Sequence, residues 1–287
     1  MIKLWISHFI FVGMQMLPKV SILNLDFGRF MVLPNDEGLF RKLLHLQSYQ
    51  ISDPIFQISA AILEKSNNKV MIDIGANAGS FTIPLARLFD QQVNFYCFEV
   101  QRMVFNQLCG NIFLNSLDNV TAFNIAVSNK NAFILIPTIE NYKRCGNIGG
   151  FSIDELSLKA NRPDFPNSLF SSDLKEKVAC RTLDSMTDIP AAGLIKIGVE
   201  GHELEVLEGS ITYIRRSGYP PIIFEAWDYE WYKPKFERLI GFLNSIGYHN
   251  ISNESSDNNY LAQSDLTGSV KLSFRNLPDG KQIVRHV

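Results

Sequence analysis

The sequence predicts an α/β fold with a doubly wound, mostly parallel sheet of seven strands, a Rossmann-like arrangement with helices on both faces. Three observations favour this prediction. Short apolar runs alternate with amphipathic segments of helical spacing from residue 69 to residue 246. An acidic residue and a turn of small residues follow the first run, as at the ligand-binding turn of such sheets. A chain of 287 residues is also long enough to bury one large core.

The first half of the predicted domain alternates helix and strand in a regular order. Ser52, Asp53 and Pro54 provide a helix start, and the following apolar run KVMIDI suits a strand covered on both faces. Pro84 falls near the first turn of the next helix, where its missing N–H costs little. The predicted elements are a helix at 52–68, a strand at 69–74, a helix at 79–89, a strand at 93–98, a helix at 104–114 and a strand at 120–127.

An insertion interrupts this order between residues 131 and 190. Two β-like runs, at 132–136 and 178–183, flank a polar segment rich in glycine, asparagine, serine and proline. We expect a hairpin and a mobile lid here. The alternation then resumes with a strand at 194–199, a helix at 202–216, a strand at 221–226, a helix at 236–246 and a closing hairpin of 248–251 with 260–262.

The domain organisation follows from these elements. Residues 1–52 are predicted to be an N-terminal extension, residues 53–263 the Rossmann-like domain with the insertion, and residues 264–287 a C-terminal tail.

The opening segment, MIKLWISHFIFVGMQML, raises the question of a membrane or of export. Ser7, His8 and Gln15 interrupt its apolar run, which falls short of the roughly 20 residues that a spanning helix needs. No small-residue cleavage signal follows, which argues against a signal peptide. We expect no membrane span. The segment either packs on the domain or precedes the true start at Met14 or Met16.

The composition limits the partners that the protein can have. Lysine and arginine total 27 against 29 aspartate and glutamate, a formal charge of −2, so no broad basic surface for nucleic acid is expected. The four cysteines form no CxxC pair, which excludes a zinc knuckle and a thioredoxin-type motif and favours a reducing, cytoplasmic location. The predicted partner is a small molecule.

The turn after the first strand, DIGANAG at 73–79, lacks both common phosphate-binding patterns. Counted from Gly75, the dinucleotide pattern GxGxxG needs glycine where Asn77 and Ser80 stand. A P-loop needs glycine and lysine where Ser80 and Phe81 stand. A phosphate-binding function for this turn is therefore not predicted.

Two acidic residues suggest a different ligand. Asp73 closes the first strand and suits a positively charged ligand, such as the sulfonium and amino groups of S-adenosylmethionine. Glu99 ends the second strand, where an acidic side chain can accept hydrogen bonds from ribose hydroxyls. Gly75 and Gly79 would allow close approach of the backbone. An ordinary βα turn with a surface acid remains the alternative.

Several ordered segments carry a resemblance to a known family. They are IDIGANAGSFT (72–82), FYCFEV (95–100), NIAVSN (124–129), RTLDSM (181–186) and LIKIGVEGHELEVLEG (194–209). With these segments the sequence resembles the FkbM-type family of S-adenosylmethionine-dependent methyltransferases. The resemblance implies the class I methyltransferase fold, S-adenosylmethionine as cofactor and, typically, O-methylation of sugars or secondary metabolites.

The resemblance also implies which residues would bind the cofactor. Its methionine end is expected near the first turn, its ribose at Glu99 and its adenine near 124–127, with Asn115 supporting the pocket wall. The candidate cofactor residues are Asp73, Gly75, Asn77, Gly79, Thr82, Glu99, Asn115, Asn124 and Ala126.

One position departs from the family pattern. The family usually has aspartate where this chain has Gly198, in IKIGVEG. Three interpretations remain open. Glu200, His202 or Glu203 supplies the missing function, the substrate needs no such group, or the protein is a weakened or non-catalytic cofactor- or glycan-binding relative.

The candidate catalytic residues are Glu200, His202 and Glu225. Histidine titrates near neutral pH and suits a base, although a first-turn residue of the following helix is an equal alternative for His202. Glu225 follows an apolar strand, where packing does not explain an acid. Asp184 is a further candidate in the cleft. No metal site is predicted.

Aromatic residues follow Glu225 closely. They either line a wall for the acceptor or pack beneath the C-terminal hairpin; they are Trp227, Tyr229, Trp231 and Tyr232. The predicted activity is O-methylation of a small hydroxylated acceptor, such as a sugar or a secondary metabolite.

Overall fold

The computed structural model describes residues 20–33, 36–49, 54–137, 150, 152–153, 157, 160, 175–253, 258–266, 272–276 and 282–286. The opening segment and most of the expected lid lie outside these residues, so the predictions for them stay predictions.

The secondary structure comprises fourteen strands and seven α-helices within the described residues. The strands are β1 (Ser21–Leu25), β2 (Gly28–Val32), β3 (Val70–Ile74), β4 (Asn94–Phe98), β5 (Val120–Phe123), β6 (Ala126–Val127), β7 (Ala132–Pro137), β8 (Lys175–Arg181), β9 (Leu194–Ile197), β10 (Ile222–Glu225), β11 (Asn250–Asn253), β12 (Asn259–Gln263), β13 (Leu272–Asn276) and β14 (Gln282–His286). The helices are α1 (Glu37–Tyr49), α2 (Pro54–Lys65), α3 (Thr82–Phe89), α4 (Arg102–Leu114), α5 (Glu203–Glu208), α6 (Ile211–Arg216) and α7 (Lys233–Ser245).

The central sheet has seven strands in the order β11-β12-β10-β9-β3-β4-β5. Strands β10, β9, β3, β4 and β5 run parallel, while β12 is antiparallel to both of its neighbours. The chain proceeds from β3 to β4 and β5 on one side and later returns to β9 on the other side of β3. This reversal places a topological switch point, the usual ligand site of such sheets, at the carboxyl ends of β3 and β9.

The sheet separates two layers of the core. Ile72 and Ile74 of β3 pack with the side of the sheet that α5, α6 and α7 cover. Met71, which precedes Ile72 in sequence, packs on the opposite side with residues of α2, α3 and α4. This alternation explains why β3 is apolar except for Asp73, because both faces of the strand are buried. The prediction of a mostly parallel, seven-stranded sheet is confirmed.

The predicted strand at 120–127 is wrong in its extent. It is two strands, because β6 leaves the central sheet and pairs with β8 in a small sheet of order β6-β8-β7. Asn124 lies at the break, and its side-chain amide donates to the carbonyls of Glu99 and Val100 at 2.8 and 2.9 Å. These bonds tie the chain to the end of β4. The expected hairpin in the insertion is present as the antiparallel pair β7 and β8.

The single helix predicted at 202–216 is also wrong, because α5 ends at Glu208 and α6 begins at Ile211. Gly209 lies at the break against the end of β6. A β-carbon at this position would be 2.0 Å from the carbonyl oxygen of Ser128. The close contact therefore requires glycine and interrupts the helix.

The two ends of the described chain are held to the domain by side-chain amides. Asn111 of α4 and Asn115, which directly follows this helix, accept backbone N–H groups of β2, from Met31 at 2.6 Å and Arg29 at 2.8 Å. Near the C-terminus, the amide of Gln263 bonds both the N–H and the carbonyl of Leu272 in β13. The predicted C-terminal tail thus contains a hairpin, β13 and β14.

None of the helices in the described ranges is long and apolar enough to cross a membrane.

Candidate active site

A cavity of about 520 Å³ opens at the carboxyl ends of the parallel strands. Its lining comes from the turns after β3, β4, β9 and β10, from residues 125–127, and from Arg41 and Lys42 of α1. The volume is typical of small-molecule sites. The strands β4, β3, β9 and β10 are adjacent, so the cavity extends over three strand spacings, roughly 14 Å.

The turn after β3 forms the floor of the cavity. Gly75 has a φ of 80°, and a β-carbon there would lie 1.9 Å from the carbonyl oxygen of Gly198. Only glycine therefore allows the turns after β3 and β9 to pack together. Asn77 adopts a left-handed conformation with φ of 51°, and its side-chain oxygen accepts the N–H of Ala78 at 2.6 Å. Gly75 and Asn77, two of the predicted cofactor residues, both line the cavity.

Glu99 lies at the β4 end of the cavity. Its two carboxylate oxygens accept the backbone N–H groups of Asn77 and Gln101, each at 2.9 Å. Burial raises the pKa of Glu99 to about 7, against the lowering effect of these hydrogen bonds. A carboxylate can accept about four hydrogen bonds, so this fixed group retains capacity for a pair of ligand hydroxyls.

Asp73 and Thr82 do not line the cavity. Asp73 is fully buried, accepts the hydroxyl of Thr82 at 2.6 Å and pairs with the ammonium of Lys196 at 2.9 Å. The two charged residues are opposite each other in the register of β3 and β9. The expectation that Asp73 faces a cationic cofactor needs correction, since its charge is matched by Lys196.

Sequence reasoning missed Lys196. Its ammonium lines the cavity, pairs with Asp73 and donates to the carbonyl of Gly75 at 3.0 Å. The signal was available, because Lys196 is the one charged residue in the otherwise apolar strand LIKI. A charge within a buried strand needs a partner, and Asp73 provides one.

Glu200 and Glu225 line the cavity at the end opposite Glu99. Glu200 has a left-handed φ of 56° in the turn after β9. Burial, together with the negative charges of Glu225 and Glu203, raises the pKa of Glu200 to about 8. Glu225 accepts the indole N–H of Trp227 at 3.2 Å through Oε1. The structure thus brings together two of the three predicted catalytic residues.

His202, the third, does not line the cavity. Its Nε2 lies 2.9 Å from the hydroxyl of Ser128, and its Nδ1 lies 3.4 Å from the carboxylate of Glu205. Both ring nitrogens therefore have partners away from the cavity. This geometry favours the alternative interpretation, a residue beside the start of α5.

Glu203 holds the turn that carries Glu200. Its Oε1 accepts the N–H groups of Val199 and Gly201, each at 3.2 Å, and its Oε2 accepts the hydroxyl of Tyr232 at 3.2 Å. Burial raises the pKa of Glu203 to about 7. With its carboxylate occupied in this way, Glu203 stabilises the turn instead of facing a substrate.

The remaining predicted cofactor residues have different positions. Ala126 lines the cavity, whereas Gly79, Asn115 and Asn124 do not. Gly79 packs against Ile83, and Asn115 bonds the backbone of β2. Asn124 fixes the chain after β4, as described above. Asn115 thus holds the N-terminal hairpin and does not form the pocket wall expected for it.

With this geometry in view, comparison with known proteins decides the family. Residues 73–249 match the methyltransferase FkbM domain, which is more than half of the chain. The protein belongs to the FkbM methyltransferase family. This family and fold are those of S-adenosylmethionine-dependent methyltransferases. Among curated proteins, none matches the sequence significantly.

Three solved structures similar to this FkbM protein share little sequence with it. A precorrin-6y C5,15-methyltransferase from Geobacter metallireducens is 15% identical with a TM-score of 0.42, over 74% of this chain and 88% of the other. A SAM-dependent methyltransferase from Aquifex aeolicus is 14% identical with a TM-score of 0.42, over 80% and 97%. A SAM-dependent O-methyltransferase from Thermotoga maritima is 10% identical with a TM-score of 0.39, over 93% and 71%. Similarity at this level says nothing about the substrate.

The position at which this FkbM chain departs from the expected aspartate lies inside the cavity. A β-carbon on Gly198 would be 3.0 Å from Nζ of Lys196 and 3.7 Å from Oε2 of Glu225. An aspartate would therefore contact both side chains. With glycine at position 198, Glu225 provides a carboxylate near the place that the aspartate side chain would occupy.

The other residues that the sequence suggested for the cleft make contacts within the protein. Asp184 accepts the N–H of Tyr213 at 2.7 Å in the first turns of α6. The aromatic residues after Glu225 pack on one another, with ring centroids of Trp227 and Tyr232 at 5.1 Å and of Trp227 and Trp231 at 5.7 Å. These contacts favour the alternative in which the aromatic residues pack within the protein.

Within the described ranges, no group of three or more histidine, cysteine, aspartate or glutamate residues is arranged to hold a metal ion.

Proposed function

We propose that the protein is an O-methyltransferase that transfers the methyl group of S-adenosylmethionine to a small hydroxylated acceptor, such as a sugar or a secondary metabolite. The observation that carries the proposal is the distribution of acids in one cavity. Glu99 lies at one end, and Glu200 and Glu225 lie at the other. The two ends are separated by the width of β3 and β9.

The residues at the Glu99 end fit the cofactor. Glu99 would accept the ribose hydroxyls, because its carboxylate is fixed by two backbone N–H groups and has acceptor capacity left. The backbone at 75–77 would contact the methionine part, since these residues line the cavity. Ala126 and its neighbours would contact the adenine. When bound, the cofactor would supply a methyl group that is attached to a sulfonium sulfur, which is a good leaving group.

The residues at the other end would prepare the acceptor. Methyl transfer is an in-line displacement, so positioning of the two reactants provides much of the catalysis. A carboxylate that accepts the hydroxyl proton contributes roughly 10²–10⁴-fold more. Glu200 suits this role, because its pKa of about 8 is close to the working pH of a base. The fraction of Glu200 that is ionised, and can therefore act as a base, increases as the pH rises through about 8.

The proposal is tested by methyl transfer from labelled S-adenosylmethionine to a panel of monosaccharides and phenols. We expect transfer to the oxygen of one or more acceptors, at a rate that rises with pH toward about 8. Glu200→Gln should lower the rate by roughly 10²–10⁴-fold. Glu230→Gln, at an exposed glutamate that pairs with Lys233, is the matched control and should have no effect. Amines and carboxylic acids are added to the panel: a preference for nitrogen would contradict O-methylation, and a preference for the carboxylate would contradict a hydroxyl acceptor.

The second candidate is a non-catalytic or weakened cofactor- or glycan-binding protein. The observation in its favour is Gly198, which leaves the cavity without the acid that the family usually has there. Binding of S-adenosylmethionine without transfer to any acceptor of the panel would support this candidate over an active enzyme.

A further inference from the structure

Helix α1 contributes two basic residues, Arg41 and Lys42, to the wall of the cavity. Leu43 of the same helix is buried in one hydrophobic cluster with Ala78 of the turn after β3. This cluster places α1 beside the turn whose residues 75–77 also line the cavity. The two cations therefore reach the cavity on the side where the methionine part of the cofactor is proposed to bind. The helix precedes residues 73–249 and so lies outside the matched methyltransferase domain.

Three basic residues of the described chain line the cavity, and they differ in how their charge is balanced. Lys196 pairs with buried Asp73 at 2.9 Å, and Arg41 pairs with Glu37 at 3.4 Å. Among the residues that the structure describes, no carboxylate lies within ion-pair distance of Lys42. The side chain of Lys42 is also exposed, so its ammonium group is available to a ligand in the cavity.

Lys42 is close to the acceptor end of the cavity as well. Burial is the main cause of the raised pKa of Glu200, and the positive charge of Lys42 acts in the opposite direction and lowers this pKa. The charge of an exposed residue acts over short distances, because water and salt screen it. Lys42 is therefore near both the turn after β3 and Glu200, at the boundary between the cofactor side and the acceptor side.

The chemistry of the cofactor identifies an anion for this cation. S-adenosylmethionine carries one anionic group, the carboxylate of its methionine part, beside a cationic ammonium and a cationic sulfonium. The acids that line the cavity, which repel a carboxylate when they are ionised, are Glu99, Glu200 and Glu225. A lysine at the methionine end offsets this repulsion and can donate charge-assisted hydrogen bonds to the carboxylate. An anionic group on the acceptor would instead have to bind directly beside Glu200 and Glu225.

We propose that Lys42 binds the carboxylate of the methionine part of S-adenosylmethionine, so that helix α1 forms part of the cofactor site. The proposal rests on the proposed function and adds to it a binding residue from outside the matched domain. It requires that the affinity depend jointly on the carboxylate of the ligand and on the charge at position 42.

The test compares two probes that differ only in this carboxylate, S-adenosylhomocysteine and its decarboxylated analogue. Each is titrated calorimetrically into the full chain near pH 8, where Glu99 is largely ionised. We expect the wild type to bind S-adenosylhomocysteine about tenfold or more tightly than the analogue. Lys42→Gln should weaken S-adenosylhomocysteine by about tenfold, as expected for a lost hydrogen bond between charged groups, and should not weaken the analogue.

Three further variants separate the charge at position 42 from other effects. Lys42→Arg keeps the charge and should keep most of the preference for S-adenosylhomocysteine, a rescue that a purely structural role does not predict. Lys65→Gln, at an exposed lysine of α2 that does not line the cavity, is the matched control and should change neither affinity. Arg41→Gln should retain the preference, because Arg41 is paired with Glu37.

The two probes also guard against indirect effects of the substitution. Lys42→Gln changes the charge near Glu200, but this change acts on both probes, so the ratio of their affinities isolates the carboxylate. Folding should be unaffected, because Lys42 is exposed and glutamine is a good helix former. Added salt should reduce the preference for S-adenosylhomocysteine in the wild type and leave it unchanged in Lys42→Gln.

Unchanged affinity of Lys42→Gln for S-adenosylhomocysteine, or an equal loss of affinity for both probes, would overturn the assignment and leave the proposed function standing. A preference that is lost in Arg41→Gln and retained in Lys42→Gln would also overturn it, since the carboxylate would then bind Arg41. If the wild type binds neither probe, the proposed function itself fails.

Discussion

Asp73 and Lys196 illustrate how far single residues can be interpreted from sequence. The sequence placed Asp73 near the end of the first strand, and the structure has it there, one residue before the last residue of β3, but buried and not among the residues that line the cavity. Its partner could not be predicted, because Lys196 is distant in sequence and meets Asp73 only through the parallel pairing of β3 and β9. Glu99, Glu200 and Glu225 were found because each acid follows an apolar strand at the edge that carries the site. His202, in the same turn as Glu200, could not be excluded without the contacts to Ser128 and Glu205.

The protonation of Glu99 leads to a prediction for cofactor affinity. Ribose hydroxyls donate hydrogen bonds, so they bind the ionised carboxylate in preference to the acid. Because the pKa of Glu99 is about 7, the affinity for S-adenosylhomocysteine should fall as the pH decreases below about 7. Calorimetric titrations at several pH values measure this effect.

Two variants test whether Glu99 causes the pH dependence of cofactor affinity. Glu99→Ala should weaken the affinity at high pH by about 1–3 kcal/mol and remove the pH dependence. Glu230→Gln, on the surface, should retain both the affinity and its pH dependence. An affinity of Glu99→Ala equal to that of the wild type would mean that the ribose does not bind this carboxylate.

At the scale of secondary structure, alternating strands and helices were predictable because burial on both faces leaves a clear apolar pattern. The two interrupted elements were not predictable, since each break depends on a contact with a distant part of the chain. The strand at 120–127 is broken where Asn124 bonds the end of β4. The helix at 202–216 is broken where Gly209 meets the backbone of Ser128.

The helix break leads to a prediction for stability. Gly209→Ala places a β-carbon 2.0 Å from the carbonyl oxygen of Ser128, a backbone atom that cannot move without displacing β6. We expect the free energy of unfolding to fall by about 1–3 kcal/mol or more in chemical denaturation. Gly241→Ala, within α7 and without close neighbours, should instead be neutral or raise it by up to about 1 kcal/mol. Similar values for the two variants would show that the contact does not cause the break.

At the scale of the whole molecule, the formal charge is only −2, but the charged residues are unevenly distributed. Buried acids are concentrated at the carboxyl edge of the sheet, where Glu99, Glu200 and Glu203 have pKa values raised to about 7, 8 and 7. Lys196 is the basic residue that reaches into the same region from the central sheet. Because their pKa values are raised, these acids destabilise the folded protein when they are ionised.

The raised pKa values predict how stability depends on pH. In the folded protein these carboxyl groups bind protons up to about pH 7 or 8, whereas in the unfolded chain they lose them near 4.5. The free energy of unfolding should therefore decrease as the pH rises from about 4.5 to about 8, by an amount on the order of a few kcal/mol between pH 6 and pH 8, and should level off above about pH 8. Urea denaturation at several pH values measures this slope.

Glu203→Gln should reduce that slope, because glutamine does not titrate and can still accept the N–H groups of Val199 and Gly201. Glu230→Gln at the surface should leave the slope unchanged. A stability that rises over the same pH range would contradict the assignment of raised pKa values to the three glutamates.

The central claim is that this FkbM methyltransferase holds S-adenosylmethionine in the cavity above β3, with its ribose at Glu99. Calorimetric titration of the purified protein with S-adenosylmethionine near pH 8 tests it most directly. The predicted result is saturable binding of one equivalent, weakened by about 1–3 kcal/mol in Glu99→Ala. No binding at cofactor concentrations of hundreds of micromolar, or the same affinity in both proteins, would contradict the claim.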